Sequence, residues 1–171
     1  MAERKQPRMR PKPKKVKIKA KTKMTKANDV GKLREMTGAG IMDCKRALED
    51  TNGDFEKAAT LIRERGLVKA ETKKERVANS GIIESYVHND RVGVLLEMHA
   101  ETDFVAKSGP FRELSHNIVM QIAAMEPIDV ETLLKQEFIK DSKKTIEELI
   151  KETISKVGEN IKVEKFIRYS L

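Results

Sequence analysis

The chain has 171 residues, of which 39% are hydrophobic, 36% charged and only 4% aromatic, with no Trp. That composition excludes one large aromatic-packed core and suits one ordinary domain or two small, surface-rich ones. The net charge of +8 is unevenly placed: residues 1–26 hold twelve Lys/Arg against Glu3 alone, leaving 23 basic and 26 acidic residues elsewhere, so whole-chain charge is no argument that the remainder binds nucleic acid.

Residues 1–26 are rich in Lys, Arg and Pro. Like charges repel and apolar surface is scarce, which predicts a disordered basic tail. Its plain reading is a solvated tail, and its functional one is weak, non-specific RNA or ribosome contact. No aromatic interleaves the charges, so base-specific stacking is not expected.

Residues 27–67 read as three short helices. Asn28 is placed to cap the first, which carries Val30, Leu33 and Met36. Thr37-Gly38-Ala39-Gly40 breaks it. The second helix places Ile41, Cys44 and Leu48 on one face. Asn52-Gly53 turns the chain, Asp54 is suited to cap the third helix, and Phe55, Ala58, Ala59 and Ile62 give that helix an apolar stripe. Gly66 has the character of a C′ stop. Cys44, the only cysteine, is expected in this small core and excludes an intramolecular disulfide or a Cys zinc cluster. A bundle of about 40 residues is marginal alone and has no room for a walled pocket, which points to a binding unit. Residues 68–79 are charged and helix-compatible and read as a linker.

From Ser80 the period becomes two. Ile83, Ser85 and Val87 alternate with Ile82, Glu84 and Tyr86. Asn89-Asp90 signals a turn, and Val92, Val94, Leu96 and Met98 continue the pattern, predicting an antiparallel hairpin. Phe111, Leu114, Ile118 and Ile122 mark a helix ending near Pro127. A further helix spans Thr145 to Val157, with Ile146, Leu149, Ile150, Ile154 and Val157 as its apolar face, and Gly158 stops it. Residues 135–144 have no clear period. Ile161, Val163, Lys165, Ile167, Tyr169 and Leu171 then alternate, predicting a third strand that pairs with the hairpin, with helices over one face. Residues 80–171 are therefore expected to form an α+β core domain.

Catalytic signatures are missing. There is no Walker loop, GxGxxG, HExxH or GxSxG. His88, His99 and His116 are scattered, and acidic pairs such as Glu147-Glu148 sit among lysines on a helix face. The expectation is a protein that is not an enzyme and uses no metal or cofactor. No apolar run approaches the ~20 residues that span a bilayer, and none follows the basic start as in a secretory signal, so no membrane association is expected. The segment Glu101-Thr102-Asp103-Phe104-Val105-Ala106-Lys107-Ser108-Gly109-Pro110 stands apart. By residue chemistry alone, Thr102 or Asp103 caps a short helix and Phe104 packs inward.

Three segments resemble one family. Leu33-Arg34-Glu35-Met36-Thr37-Gly38-Ala39-Gly40-Ile41-Met42-Asp43-Cys44-Lys45 is similar to the amino-terminal signature of elongation factor Ts, Glu101 to Ala106 to its second signature, and Gly158-Glu159-Asn160-Ile161 through Phe166-Ile167-Arg168-Tyr169 to its carboxyl end. The resemblance covers about residues 28–171. It implies an α+β fold in which a ubiquitin-associated-like (UBA-like) three-helix bundle joins a core with a small antiparallel sheet and helices packed on it. It also implies a guanine-nucleotide exchange factor for the GTPase elongation factor Tu, working in a bacterial cytoplasm or an organelle. Thr102, Asp103, Phe104 and Val105 match the stretch that disturbs the GTPase magnesium site, with Phe104 as a wedge, while Ile41 and Met42 match docking contacts. The chain is shorter than long family members, which leaves a homodimer open. His99-Ala100 replace a frequent Asn-Cys, and Asp129 replaces a frequent Tyr. The alternative is a UBA-type or ribosome-associated binding adaptor, which accounts for the bundle but not for the Thr102–Val105 stretch or the sheet.

Overall fold

A computed structural model describes residues 27–171; the expected basic tail, residues 1–26, lies outside the described residues. The first three helices are α1 (Ala27–Thr37), α2 (Ile41–Asp50) and α3 (Phe55–Glu71). Leu33, Ala39, Cys44, Ala47, Leu48, Ala58 and Ile62 bury against one another as their core. Gly38, at φ +68°, makes the turn into α2, and the Asp54 carboxylate caps α3 by accepting the Lys57 N–H at 3.1 Å. Two expectations fail here. Asn28 lies inside α1 rather than capping it, and Met36 is exposed rather than packed.

Gly66 does not end α3. The helix runs on to Glu71, through residues expected to be linker, and Ala70 enters the larger core. Packing decides this: a Cβ on Gly66 would lie 2.6 Å from Ser155 Oγ, so the glycine permits close approach to the later helix α7 (Ile146–Val157). Arg63 meets Glu152 at 3.2 Å and Lys151 meets Glu71 at 2.8 Å along the same seam.

The sheet is antiparallel, in the order β1 (Ser80–His88), β2 (Val92–Ala100), β5 (Ile161–Ser170). The His88 carbonyl accepts the Arg91 N–H across Asn89 and Asp90, both at positive φ, as the mirror-image hairpin turn requires. The expected third strand pairs with β2, which makes β2 central. Val94, Leu96, Met98 and Ala100 face inward with Ile161 and Val163. Strict alternation along β5 fails at a bulge: Glu97 pairs with Lys165 but Met98 with Val163. The extra residue switches faces, so Phe166 turns inward while Ile167 and Tyr169 turn out.

Helix α5 (Gly109–Met125) packs on β1 and β2, with Phe111, Leu114, Ile118 and Ile122 buried as the sequence pattern required. Residues 135–144, which had no clear period, lie in the end of α6 (Val130–Lys135) and a short hairpin, β3 (Glu137–Phe138) with β4 (Asp141–Thr145). Buried Gln121 joins that hairpin to α5: its amide donates to the Glu137 carbonyl at 3.0 Å and its oxygen accepts the Ile139 N–H at 2.9 Å. Asp129 is the N-cap of α6, bonded by the Thr132 N–H at 2.7 Å. Thr145 and Glu148 close a capping box on α7, and Gly158, at φ +85°, ends it. The result is α+β, with α5 packed on one face of the three-stranded sheet and α3 packed on α7.

Candidate functional site

The junction from β2 into α5 is a tight corner containing α4 (Asp103–Ala106), a single helical turn. Thr102, not Asp103, is its N-cap, with Oγ1 accepting the Val105 N–H at 3.4 Å. Ser108 precedes α5, and Pro110 sits in its first turn, where no backbone donor is needed. The helical period then sorts the corner. Val105 and Ala106 point into the main core, whereas Phe104 is 83% exposed. The inward packing of Phe104 expected from residue chemistry is therefore wrong: Val105 and Ala106 take the core-facing side of this single turn, and Phe104 projects from the other side. Asp103 is also exposed and reaches only Lys107, at 3.9 Å.

The base of the corner is held from the far end of the chain. Glu159 accepts both the backbone N–H and the hydroxyl of Thr102, at 3.0 and 2.8 Å. Glu101 accepts the Asn160 N–H at 2.7 Å and lies 3.6 Å from Arg76. Sequence reasoning quoted Glu159 and Asn160 only as part of a family-like ending. Their bonds cross almost 60 residues, and no local spacing signals such a pair.

A second exposed apolar group begins α2. Ile41 is 54% and Met42 58% exposed, beyond the N-cap Gly40. The periodic reading that put Ile41 on one face with Cys44 and Leu48 is corrected here: Cys44, Ala47 and Leu48 are buried and Ile41 is not. An amphipathic period locates a face, but the first turn of that face extends past the bundle's small core.

Chemistry at either place is sparse. Among the described residues, no three His, Cys, Asp or Glu side chains converge as a metal ion would need. His88 lies against Tyr86, His99 bonds Glu97 at 2.9 Å and His116 approaches Glu84 at 3.7 Å. The His99 hydrogen bond, followed by that of Lys165, holds the Glu97 carboxyl below its ordinary range. No described helix is long and apolar enough to cross a membrane. At these two places the surface offers the exposed apolar side chains Phe104, Ile41 and Met42, the kind of feature that marks contact with another macromolecule.

The family model described as elongation factor TS matches residues 101–171. Elongation factor Ts of Thermotoga maritima is 41% identical over 186 aligned positions, covering 83% of this chain and 94% of that protein. The Syntrophomonas wolfei protein of the same name is 40% identical, with 86% and 91% covered. A chloroplastic elongation factor Ts from Guillardia theta is 41% identical, with 85% and 88% covered.

Proposed function

Because the chain belongs to the elongation factor Ts family, and so acts in translation elongation, we propose that it is a guanine-nucleotide exchange factor for elongation factor Tu. It catalyses no bond-making step. The α1–α3 bundle, residues 27–71, docks on the GTPase through Ile41 and Met42. The corner Thr102–Val105 then inserts Phe104 between helices of the partner and displaces the elements that hold Mg²⁺ and the GDP phosphates.

The observation that carries this reading is the exposure of Phe104 beside buried Val105. A large apolar ring held in water by a packed turn loses burial free energy in the isolated protein, about 1.5–3 kcal/mol for a fully buried Phe. A partner that takes up the ring recovers it. Exchange then needs no reactive group, because it is a coupling between two binding sites: whatever weakens GDP on binding the factor is weakened equally by GDP. A coupling of about 4 kcal/mol corresponds to ~10³-fold weaker GDP binding.

The test is release of fluorescent GDP from purified elongation factor Tu with and without this protein. Acceleration that saturates with factor is expected; an unchanged rate would overturn the reading. Self-association is a finer proposal, supported by the outer sheet face, where Ile83, Val87, Leu95, Ile167 and Tyr169 are exposed and Leu95 pairs with Ile167. Sedimentation of the protein, compared with a Leu95→Lys variant, tests it; a wild-type monomer at all concentrations would refute it.

A further inference from the structure

The wedge corner cannot hold itself. Its helix α4 is four residues long, and one isolated turn has no stability of its own. Val105 and Ala106 fix where the turn rests on the core, but the chain entering it at Thr102 needs a separate restraint. Glu159 supplies one. One oxygen accepts the Thr102 N–H at 3.0 Å and the other accepts the Thr102 hydroxyl proton at 2.8 Å. With its proton committed to Glu159, the hydroxyl keeps its lone pairs for the Val105 N–H that it caps. The carboxylate therefore orients the cap itself.

The restraint is reciprocal. Glu101 accepts the N–H of Asn160 at 2.7 Å, so each segment's glutamate binds the backbone of the other. Buried Asn160 donates in turn to the carbonyls of Lys74 and Arg76, at 3.2 and 2.7 Å, and the Lys73 ammonium donates to the Gly158 carbonyl at 2.7 Å. The turn after α3, the end of α7 and the base of the corner thus form one hydrogen-bonded block. None of these bonds involves Asp103 or Phe104.

We propose that Glu159 is a positioning residue for nucleotide exchange: by clasping Thr102 it keeps α4 capped and Phe104 aimed outward before the GTPase arrives. This rests on the exchange reading above. The advantage is preorganisation, since a corner already ordered costs the complex nothing to order.

The experiment uses the full chain. It has no Trp and two Tyr, so Phe104→Trp provides a single tryptophan at the tip, excited selectively beyond the tyrosine absorption. Adding Glu159→Ala is expected to lower that fluorophore's anisotropy. Adding Glu159→Gln, which keeps the shape and one acceptor oxygen, should lower it less. With Phe104 in place, Glu159→Ala is expected to slow maximal GDP release about fivefold, or about 1 kcal/mol at ~1.4 kcal/mol per tenfold, while the half-saturating concentration shifts less. Glu159→Gln should restore part of the rate. Glu159→Ala combined with Phe104→Ala should be no slower than Phe104→Ala alone, because Glu159 acts through the ring. All variants are read well below their melting midpoints. Unchanged anisotropy in Glu159→Ala overturns the proposal, and so do losses that add in full. If anisotropy falls but the wild-type protein does not accelerate GDP release, the exchange reading itself has failed, and the positioning role falls with it.

Discussion

Ile41–Met42 and Phe104 each stand in the first turn of a helix with more than half of their surface in solvent, yet different parts of the molecule hold them there. The Ile41 corner is local. Gly38 turns the chain, the Cys44 N–H bonds the Gly40 carbonyl at 3.0 Å, and the Cys44 thiol faces the Ala39 carbonyl at 3.7 Å. Those partners lie within a few residues of one another. The Phe104 corner is bonded to Glu159 and Asn160, which lie between the end of α7 at Gly158 and strand β5, paired with β2. The contacts around the first projection are local in the chain; those around the second are long-range.

Substitutions sharpen that contrast, beginning with the two phenylalanines of the second region. Phe111→Ala is expected to cost about 3–5 kcal/mol of folding stability, because that ring is wholly buried. Phe104→Ala should cost less than about 1 kcal/mol, yet slow GDP release by ~30-fold or more, as an interface anchor of about 2 kcal/mol would. Melts and release rates on the same two proteins decide the matter. A large stability loss with normal exchange in Phe104→Ala would return that residue to a structural role.

At the first corner, Ile41→Ala and Met42→Ala should each raise the half-saturating factor concentration about fivefold and leave the maximal rate within about twofold, as for docking contacts of ~1 kcal/mol. An equal loss in maximal rate would erase the distinction between docking and wedge. The α3–α7 seam joins the two regions. There Gly66→Ala should gain about 1 kcal/mol of helix propensity but lose about 1–3 to its clash with Ser155. A net loss in denaturant melts is expected, relieved when Ser155→Gly is added. If the single change stabilises the protein, the helices are not packed that closely.

The smallest effect concerns pH. A hydrogen bond from Lys151 holds the Glu71 carboxyl below its ordinary 4.5, and hydrogen bonds to Glu71 and then Glu147 raise the Lys151 ammonium above 10.5. A lowered carboxyl stabilises above its unfolded value and loses that contribution as pH falls through the folded value; a raised ammonium stabilises below 10.5 and loses it as pH rises. Glu71→Gln should therefore lower the melting temperature slightly at neutral pH, with the difference shrinking as pH falls through the lowered carboxyl value. A difference that persists unchanged in acid would show that the seam does not rest on this pair.

Much of the fold was legible because it is written in local periods. The alternation through Ile82–Met98 and the 3.6-residue spacing of Phe111, Leu114, Ile118 and Ile122 each name an element and its buried face. The same rules misread Gly66, whose neighbour is a helix almost 90 residues later, and strand β5, whose bulge is set by pairing with β2. They were silent on α6 and the β3–β4 hairpin, elements too short to carry a period.

By itself the sequence determined the α+β composition and the order of the principal elements. Both follow from residues a few positions apart, whose backbone preferences and hydrophobic spacing act before any tertiary contact exists. Only the tertiary structure decided that Phe104 faces solvent while Val105 is buried, and that Glu159 clasps Thr102. The physical reason is that a single turn takes its orientation from whatever surface buries one side of it, and here that surface is built from strands and helices distant in the chain.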